Sequence, residues 1–387
     1  MLNKKILSIT PSVTLGITTK AKQMVSDGQS ICNFAAGEPD FDTPEYIKYA
    51  AVKALAGAET KYAPIAGIAS LRLAIAEKLS KENGLPYTPS HIVVSNGAKH
   101  SLFNIFMALC EEEDEVIIPS PYWVSYPEMV KIAGGKPVIA QSQEENDFKI
   151  TTEELERVVT NKTKAFLINS PSNPVGSVYT GEELKALADI AIKNDFYIIS
   201  DEIYEKMVYD GTVHLSIGGL SQEIFERTIT VNGFSKAYSM TGWRLGYFAG
   251  PQKIVDAVCA LQGHSTSAPN TFAQYGALAA LKEPQESLKK MFTAFAQRRD
   301  YLYKRLLSIN KIACVKPMGA FYMFPNISKF GIKSSLFAER LLEEARVAVI
   351  PGIAFLSDDN IRISYACSID EIKEGMDRFE KFVKSLE

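Results

Sequence analysis

The chain has 387 residues, enough for two domains of ordinary size. It is 46% hydrophobic and 22% charged, which permits a large buried core and excludes wholesale disorder. The 42 basic side chains against 45 acidic ones leave a net charge of −3, so no basic excess exists to track a nucleic acid.

No membrane partner is expected, because the most apolar run, Val347–Leu356, is broken by Pro351-Gly352 and is too short to cross a bilayer. Near the amino terminus, Thr10, Pro11, Ser12 and Thr14 interrupt any apolar stretch after the two lysines, which argues against a secretory signal. The five cysteines are scattered, odd in number and without Cys-x-x-Cys spacing, the usage expected of reduced thiols in a cytoplasmic protein. The four histidines show no metal-ligand spacing; each reads as a surface or hydrogen-bonded residue, and no metal is expected.

From about residue 45 to 250, helical and strand patterns alternate. Glu45–Leu55 and Ile68–Asn83 read as helices, the second with Leu71, Ile75 and Leu79 at a spacing of four. His91–Ser95 is β-rich and leads through Asn96-Gly97 into a helix over Lys99–Glu111. Strands are expected at Val116–Ile118, Pro137–Gln141, Ala165–Asn169, Phe196–Ser200 and Thr228–Asn232, with helices at Tyr126–Ala133, Thr152–Val159 and Gly181–Asn194. Strands separated by helices predict an α/β layer structure with a largely parallel sheet.

The last hundred residues read differently. A long helix over Glu286–Ser308 is followed by strand-like Cys314–Lys316 and Phe321–Phe324 and a helix over Ser334–Ala345. Strand-like Ala348–Ile350 and Ile361–Tyr365 precede a final helix, Ile369–Leu386. This predicts a smaller α+β domain, joined by a continuous helix near residues 280–300. The expected division is 45–285 for a large domain and 1–44 with 286–387 for a small one.

In an open α/β sheet, ligands bind beyond the carboxyl ends of strands. Four polar clusters follow strand candidates: Asn96–Lys99, Asn169–Gly176, Ser200–Tyr204 and Asn232–Lys236. Gly97 opening a helix offers free N–H groups and a positive dipole end to a phosphate, although Asn-Gly is also an ordinary turn. Asp201 alone could be a strand-end cap, and Lys236 alone a solvated lysine. Neither Gly-x-Gly-x-x-Gly nor Gly-x4-Gly-Lys-[Ser/Thr] is present, which removes the main support for a nucleotide site.

The run Ser235-Lys236-Ala237-Tyr238-Ser239-Met240-Thr241-Gly242-Trp243-Arg244 is less ordinary. So are Ala36–Phe41, Lys61–Pro64, Pro121–Tyr126, Asn173–Gly176, Asp201–Tyr204 and Arg362–Tyr365. Together, in this order, they resemble the class I aminotransferases, pyridoxal-phosphate enzymes of fold type I, and among them the bacterial aspartate aminotransferases. The resemblance spans about Thr10 to Arg362. One departure is Val175, where the family usually has threonine.

The resemblance implies a large domain with a mostly parallel mixed sheet between helices, plus a smaller α+β domain. It implies that Lys236 binds pyridoxal 5'-phosphate covalently and then serves as the base that shuttles the substrate proton. Asp201 would pair with the pyridine nitrogen, and Asn173 and Tyr204 with the phenolic oxygen. Gly97, Ala98 and Lys99, with Ser235 and Arg244, would hold the phosphate, and Tyr62 would reach it from the neighbouring subunit of a homodimer. Trp123 would stack on the ring and face the substrate. Arg362 would clamp the α-carboxylate, with Gly37 and Asn173 alongside.

Some family members bind a distal carboxylate with an arginine in the segment matching Leu261–Asn270, which here contains none. The bacterial aspartate enzymes use a lysine at the position of Lys99 with hydroxyls near the amino terminus, matching Ser12 and Thr14. The expected reaction is therefore reversible amino transfer between L-aspartate and 2-oxoglutarate. Alternatives on the same scaffold are prephenate, aromatic or alanine aminotransferases and a β-elimination lyase. A ligand-sensing regulator is a further alternative, disfavoured because the motifs leave little chain for a DNA-binding module.

Overall fold

A strand buried on both faces needs apolar residues pointing both ways, which is how the β-branched runs between residues 92 and 249 read. The computed structural model describes residues 4–7, 9–10 and 13–386, with only the backbone at 4, 5 and 13–15. It gathers these runs into one seven-stranded sheet: β1 (Ile92–Ser95), β2 (Glu115–Ser120), β3 (Lys136–Gln141), β4 (Thr163–Asn169), β5 (Tyr197–Asp201), β6 (Thr228–Gly233) and β7 (Gly246–Ala249). The strand order is β1-β7-β6-β5-β4-β2-β3. β2 is parallel to β3 and β4, β4 to β5 and β5 to β6, while β7 runs antiparallel to β1 and β6. Edge strand β3 alone exposes its ends, at Lys136 and Gln141.

Successive residues alternate between two apolar layers. Val116, Ile118, Leu167, Ile199 and Val231 pack with Leu102, Ile105 and Phe106 of helix Ala98–Leu109. Ile117, Phe166, Ile168 and Ile198 face Leu184, Leu187 and Ala191 of helix Gly181–Lys193 on the other side. Each such buried side chain contributes about 1.5–3 kcal/mol, so these layers, and not the polar groups at the strand ends, hold the sheet.

Beyond residue 286 the architecture changes as expected. Tyr322–Met323 and Ile350–Pro351 flank Ile361–Ser364 in a small antiparallel sheet, and Cys32–Asn33 pairs in parallel with Val347–Ala348. Helices Glu286–Leu307, Ser334–Ala345 and Ile369–Lys384 cover them through Phe295, Leu302, Phe337, Leu341, Met376 and Phe379. Helix Val13–Ser26 reaches this region through Ala21, which packs with Phe324, Leu342 and Ile350.

Several expectations need correction. The join is not a continuous helix: Thr271–Lys282 ends at extended Glu283, because Pro284 disfavours helical geometry in the residue before it. Cys314–Lys316 forms no strand. The amides just after it, Met318 and Gly319, both donate to the Gly176 carbonyl (2.9 and 2.8 Å), tying this stretch to a large-sheet loop. Ala348–Ile350 divides between two sheets. The helix expected over Thr152–Val159 stops at Glu156. β7 and the helices Gln252–Gly263 and Thr271–Lys282 lie where the sequence pattern assigned no element.

Candidate active site

β1, β4, β5 and β6 point the same way, so their carboxyl ends converge on one edge of the sheet. Lys236 follows β6. Its Nζ donates to the Gly37 carbonyl and lies 5.8 Å from the Phe321 ring centroid, with no carboxylate among the described residues bonded to it. Burial pushes its amine down to about 8, with Arg362, Arg244 and Lys99 adding to the effect against the pull of Glu38. An amine titrating there is available as a base near neutral pH.

Asp201 ends β5 and is 3% exposed. Its Oδ2 accepts from Tyr126 Oη at 2.7 Å and its Oδ1 from the Ile203 amide at 3.2 Å. Burial nonetheless raises the carboxyl to about 6, and among the described residues no cation is hydrogen-bonded to it. A carboxylate buried without a cation is suited to a positively charged N–H from a ligand. Tyr204, three residues on, meets the Tyr322 hydroxyl at 2.9 Å.

Arg362 sits on the central strand of the small sheet and is 4% exposed. Its Nη1 donates to Asn173 Oδ1 (3.1 Å) and its Nη2 to the Ala35 carbonyl (3.0 Å), while Nε is buried without a partner. The guanidinium lies 4.5 Å from the Tyr322 ring centroid. Burial lowers its pKa, consistent with the lack of a carboxylate partner. The Asn173 loop keeps its turn despite Val175, with the Gly176 amide bonding the Ser172 carbonyl at 3.0 Å.

Gly97 caps helix Ala98–Leu109 at φ 93°, and a Cβ there would lie 2.6 Å from Arg244 Nη2. Arg244 is itself left-handed (φ 54°) and is held by the Thr241 carbonyl (2.8 Å) and the Asn96 carbonyl (3.3 Å). β7 closes in from the other side: a Cβ on Gly246 would meet the Ala98 nitrogen at 2.3 Å. Ser235 is 9% exposed beside Lys236. Helix N–H groups under an arginine without a carboxylate partner form an anion seat.

Lys99 follows Ala98 on the same helix. Its Nζ lies 4.8 Å from the centroid of Trp123, which packs edge-on to Tyr126. Burial and then Arg244 depress the Lys99 amine. It lines a cavity of about 680 Å³ with Thr10, Asn96, Tyr122, Arg244 and Ile353. Gly37 is set by its neighbours: Asp40 receives a two-pronged ion pair from Arg298 (2.7 and 2.9 Å), fixing residues 36–41 on helix Glu286–Leu307.

The contacts thus bring Lys236, Gly37, Tyr204, Asn173 and Arg362 together, and Asp201, Tyr126, Trp123 and Lys99. Tyr62 is not drawn in: it is 97% exposed and its hydroxyl bonds no described residue. Ser12 and the Thr14 side chain lie outside the described residues. Tyr126, Tyr322 and Arg298 were missed. Tyr126 at least stands in the Pro121–Tyr126 motif, whereas nothing in the sequence marks the other two.

A half-buried amine and a buried carboxylate, neither with an ion-pair partner among the described residues, and an anion seat under Arg244 fit the aldehyde, ring nitrogen and phosphate of pyridoxal phosphate. The fold and this site define a fold type I pyridoxal-phosphate enzyme. Residues 29–379 match the family described as aminotransferase class I and II. The chain is 49% identical to an aspartate aminotransferase of Bacillus subtilis (strain 168), covering 99% of each chain. It is 47% identical to a probable aspartate/prephenate aminotransferase of Aquifex aeolicus, covering 100% of this chain and 99% of that one. Among solved structures, the aspartate aminotransferase of Thermus thermophilus with maleate superposes with a TM-score of 0.95 at 43% identity, covering 98% of this chain and 99% of that one. The chain belongs to the class I and II aminotransferase family, and its cofactor is pyridoxal phosphate.

Proposed function

We propose that the protein transfers the amino group reversibly between L-aspartate and 2-oxoglutarate, and that the residues above have the roles their geometry suggests. One observation carries the reading: the buried Arg362 guanidinium, with no carboxylate partner among the described residues, and the Lys99 amine both lie close enough to the half-buried Lys236 amine to help depress it. Two cations beside that amine, Arg362 and Lys99, suit the two carboxylates of a dicarboxylate. The names of the relatives in Bacillus and Thermus support the same choice.

Pyridoxal phosphate, when bound, supplies a carbonyl for the amino group and a ring that takes up the electron pair of the broken Cα–H bond. Arg362 grips the α-carboxylate through its remaining N–H groups, which orients Cα–H toward Lys236 and protects the carboxylate from loss. The Lys236 amine would take the proton from Cα and would return one at the cofactor's C4′. Asp201, oriented by Tyr126 and the Ile203 amide, holds a proton on the ring nitrogen. Tyr204 and Asn173 donate hydrogen bonds to the phenolic oxygen, and Trp123 covers the ring. Lys99 reads the distal carboxylate, with Ser12 and Thr14 as its expected helpers.

The division into 45–285 and 1–44 with 286–387 makes Gly37 and Arg362 small-domain groups and Lys236 and Asp201 large-domain groups. Closure on substrate would complete the site and exclude water. The near-total exposure of Tyr62 supports a homodimer in which it serves the partner's phosphate. A cytoplasmic location accords with five unpaired cysteines and with no helix among the described residues being long and apolar enough to cross a membrane.

The test is the visible absorption spectrum of the purified protein before and after L-aspartate is added without an oxoacid. Conversion of the lysine-bound band to a pyridoxamine-type band is expected. A band unmoved by aspartate but moved by prephenate-derived or aromatic amino acids would replace the substrate and keep the family.

A further inference from the structure

The turn leaving β5 buries polar groups that the chemistry above does not use. Glu202 follows Asp201 directly, and its side chain is 1% exposed. Its Oε1 accepts from Ser200 Oγ (2.8 Å), and its Oε2 from Ser216 Oγ (2.6 Å) and His214 Nε2 (3.1 Å). Beside them, Glu205 bonds Lys78 Nζ and Asn83 Nδ2, and Asn83 also donates to Ser216. Lys78 and Asn83 come from helix Ala69–Asn83, so the cluster locks that helix to the turn carrying Asp201 and Tyr204.

Charge is the informative part. Two buried carboxylates, Glu202 and Glu205, share one buried ammonium, Lys78, and that ammonium bonds Glu205 and not Glu202. Among the described residues, His214 is the one side chain bonded to Glu202 that can carry positive charge. Its Nδ1 is buried without a partner. An unsatisfied N–H there costs less than a buried carboxylate left uncompensated, so the imidazolium is the cheaper state. The groups facing His214 are Glu202, Glu205 and Lys78, and the carboxylates outweigh both burial and the lysine to raise its pKa. Glu205 shows the counterpart: burial pushes it up, yet Lys78 and His214 hold it at about 2. The ligand atoms of Glu202, Glu205 and His214 lie within 4.8 Å of one another, but Lys78 and Asn83 already supply protons to that space.

We propose that Glu202 and His214 form a charge-balanced positioning pair behind Asp201, which fixes the turn and sets the potential felt by the cofactor's ring nitrogen through Asp201. The inference rests on the aminotransferase reading. Both side chains are bonded within the cluster and would act on the cofactor through Asp201. The Glu202 amide bonds the Val231 carbonyl of β6 at 2.9 Å, so the backbone that carries the pair continues the ladder to the strand that delivers Lys236.

Two readouts test it. In cofactor-free protein labelled with 15N-histidine, His214 is assigned by loss of its signals in His214→Asn. It is expected to stay doubly protonated to higher pH than the other three histidines, and Glu202→Gln should lower its midpoint by about one pH unit or more. In cofactor-loaded protein, the pH titration of the visible band is compared across the same variants. Removing the carboxylate in Glu202→Gln makes the field at Asp201 less negative and should move the midpoint down. Removing the cation in His214→Asn should move it up. Opposite shifts support the pair. A His214 that titrates with the other histidines, or a band midpoint equal in all three proteins while only thermal stability falls, would reduce the cluster to a structural lock and overturn the proposal. A wild-type protein that takes up no cofactor sinks the parent reading instead, and the NMR arm still decides the charge of the pair.

Discussion

Arg362→Lys keeps the charge and removes the fork, so it isolates what planar geometry contributes. A guanidinium has five N–H groups, of which Asn173 and Ala35 engage one each. The three that remain include the unpartnered Nε. A lysine placed there would have three donors on one atom, and the same two acceptors would compete for them. At least one charge-assisted bond to the substrate carboxylate is lost, worth about 1.5–3 kcal/mol in a site that is 4% exposed. That corresponds to roughly a 10- to 150-fold fall in kcat/KM. Because every amino acid carries the α-carboxylate, aspartate, glutamate and alanine should lose by the same factor. The assay is single-turnover decay of the lysine-bound absorption band with each amino acid, with the band before mixing as the control for intact cofactor binding. A loss under about threefold, or one confined to the dicarboxylates, would refute the assignment.

Lys99→Ala should do the opposite, lowering kcat/KM for aspartate and glutamate roughly 10- to 150-fold while leaving alanine and aromatic substrates nearly unchanged; equal losses for all would return Lys99 to the phosphate. For Asp201, a folded-state carboxyl raised to about 6 means the folded chain binds the extra proton between its unfolded value and pH 6. Stability therefore falls as pH rises through that window, and the penalty is complete above it. Asp201→Asn should make cofactor-free protein more stable in urea at pH 7.5, by on the order of 3 kcal/mol, with the gap closing toward pH 4 while transamination collapses. A gap independent of pH would contradict the burial argument. Tyr62→Phe should weaken cofactor binding about tenfold or more by equilibrium dialysis without dissolving the proposed dimer, and a protein that sediments as a monomer with full cofactor affinity would sink that role.

The elements legible in the sequence were those whose burial leaves a period. Helix Ser334–Ala345 matches its expected span, and Glu45–Ala56 and Glu286–Leu307 differ from theirs by a residue, because charged faces frame their apolar stripes. The helix Thr271–Lys282 lacked that contrast. It buries Ala273, Gln274, Gly276, Ala277 and Ala280, small or polar residues that let it lie close to Trp243, where a Cβ on Gly276 would come within 2.7 Å of the indole. β7 is four residues, all buried, with no alternation to see. At the site, Lys236, Asp201, Asn173 and Arg362 were found through co-linear motifs. Spacing alone could not have joined Arg362 to Asn173, 189 residues away. Tyr322 and Arg298 act through contacts that only tertiary packing creates, from a short strand and a long helix with no local signal.

The reversal at β7 has a consequence for how the site is assembled. A parallel neighbour would have required a long crossover between β6 and the next strand, whereas the antiparallel return lets residues 234–245 bridge them directly. Lys236 and Arg244, proposed to hold opposite ends of the cofactor, therefore travel on one short excursion of the chain. Their separation is a local property, set by the Thr241–Arg244 turn and its carbonyl bond, and is insulated from loosening of the outer helices. A molecule in which the elements beyond residue 286 have come undone would keep both proposed anchors in register, so release of pyridoxal phosphate during unfolding should report the undocking of helix Ala98–Leu109 from the sheet and lag behind the loss of activity.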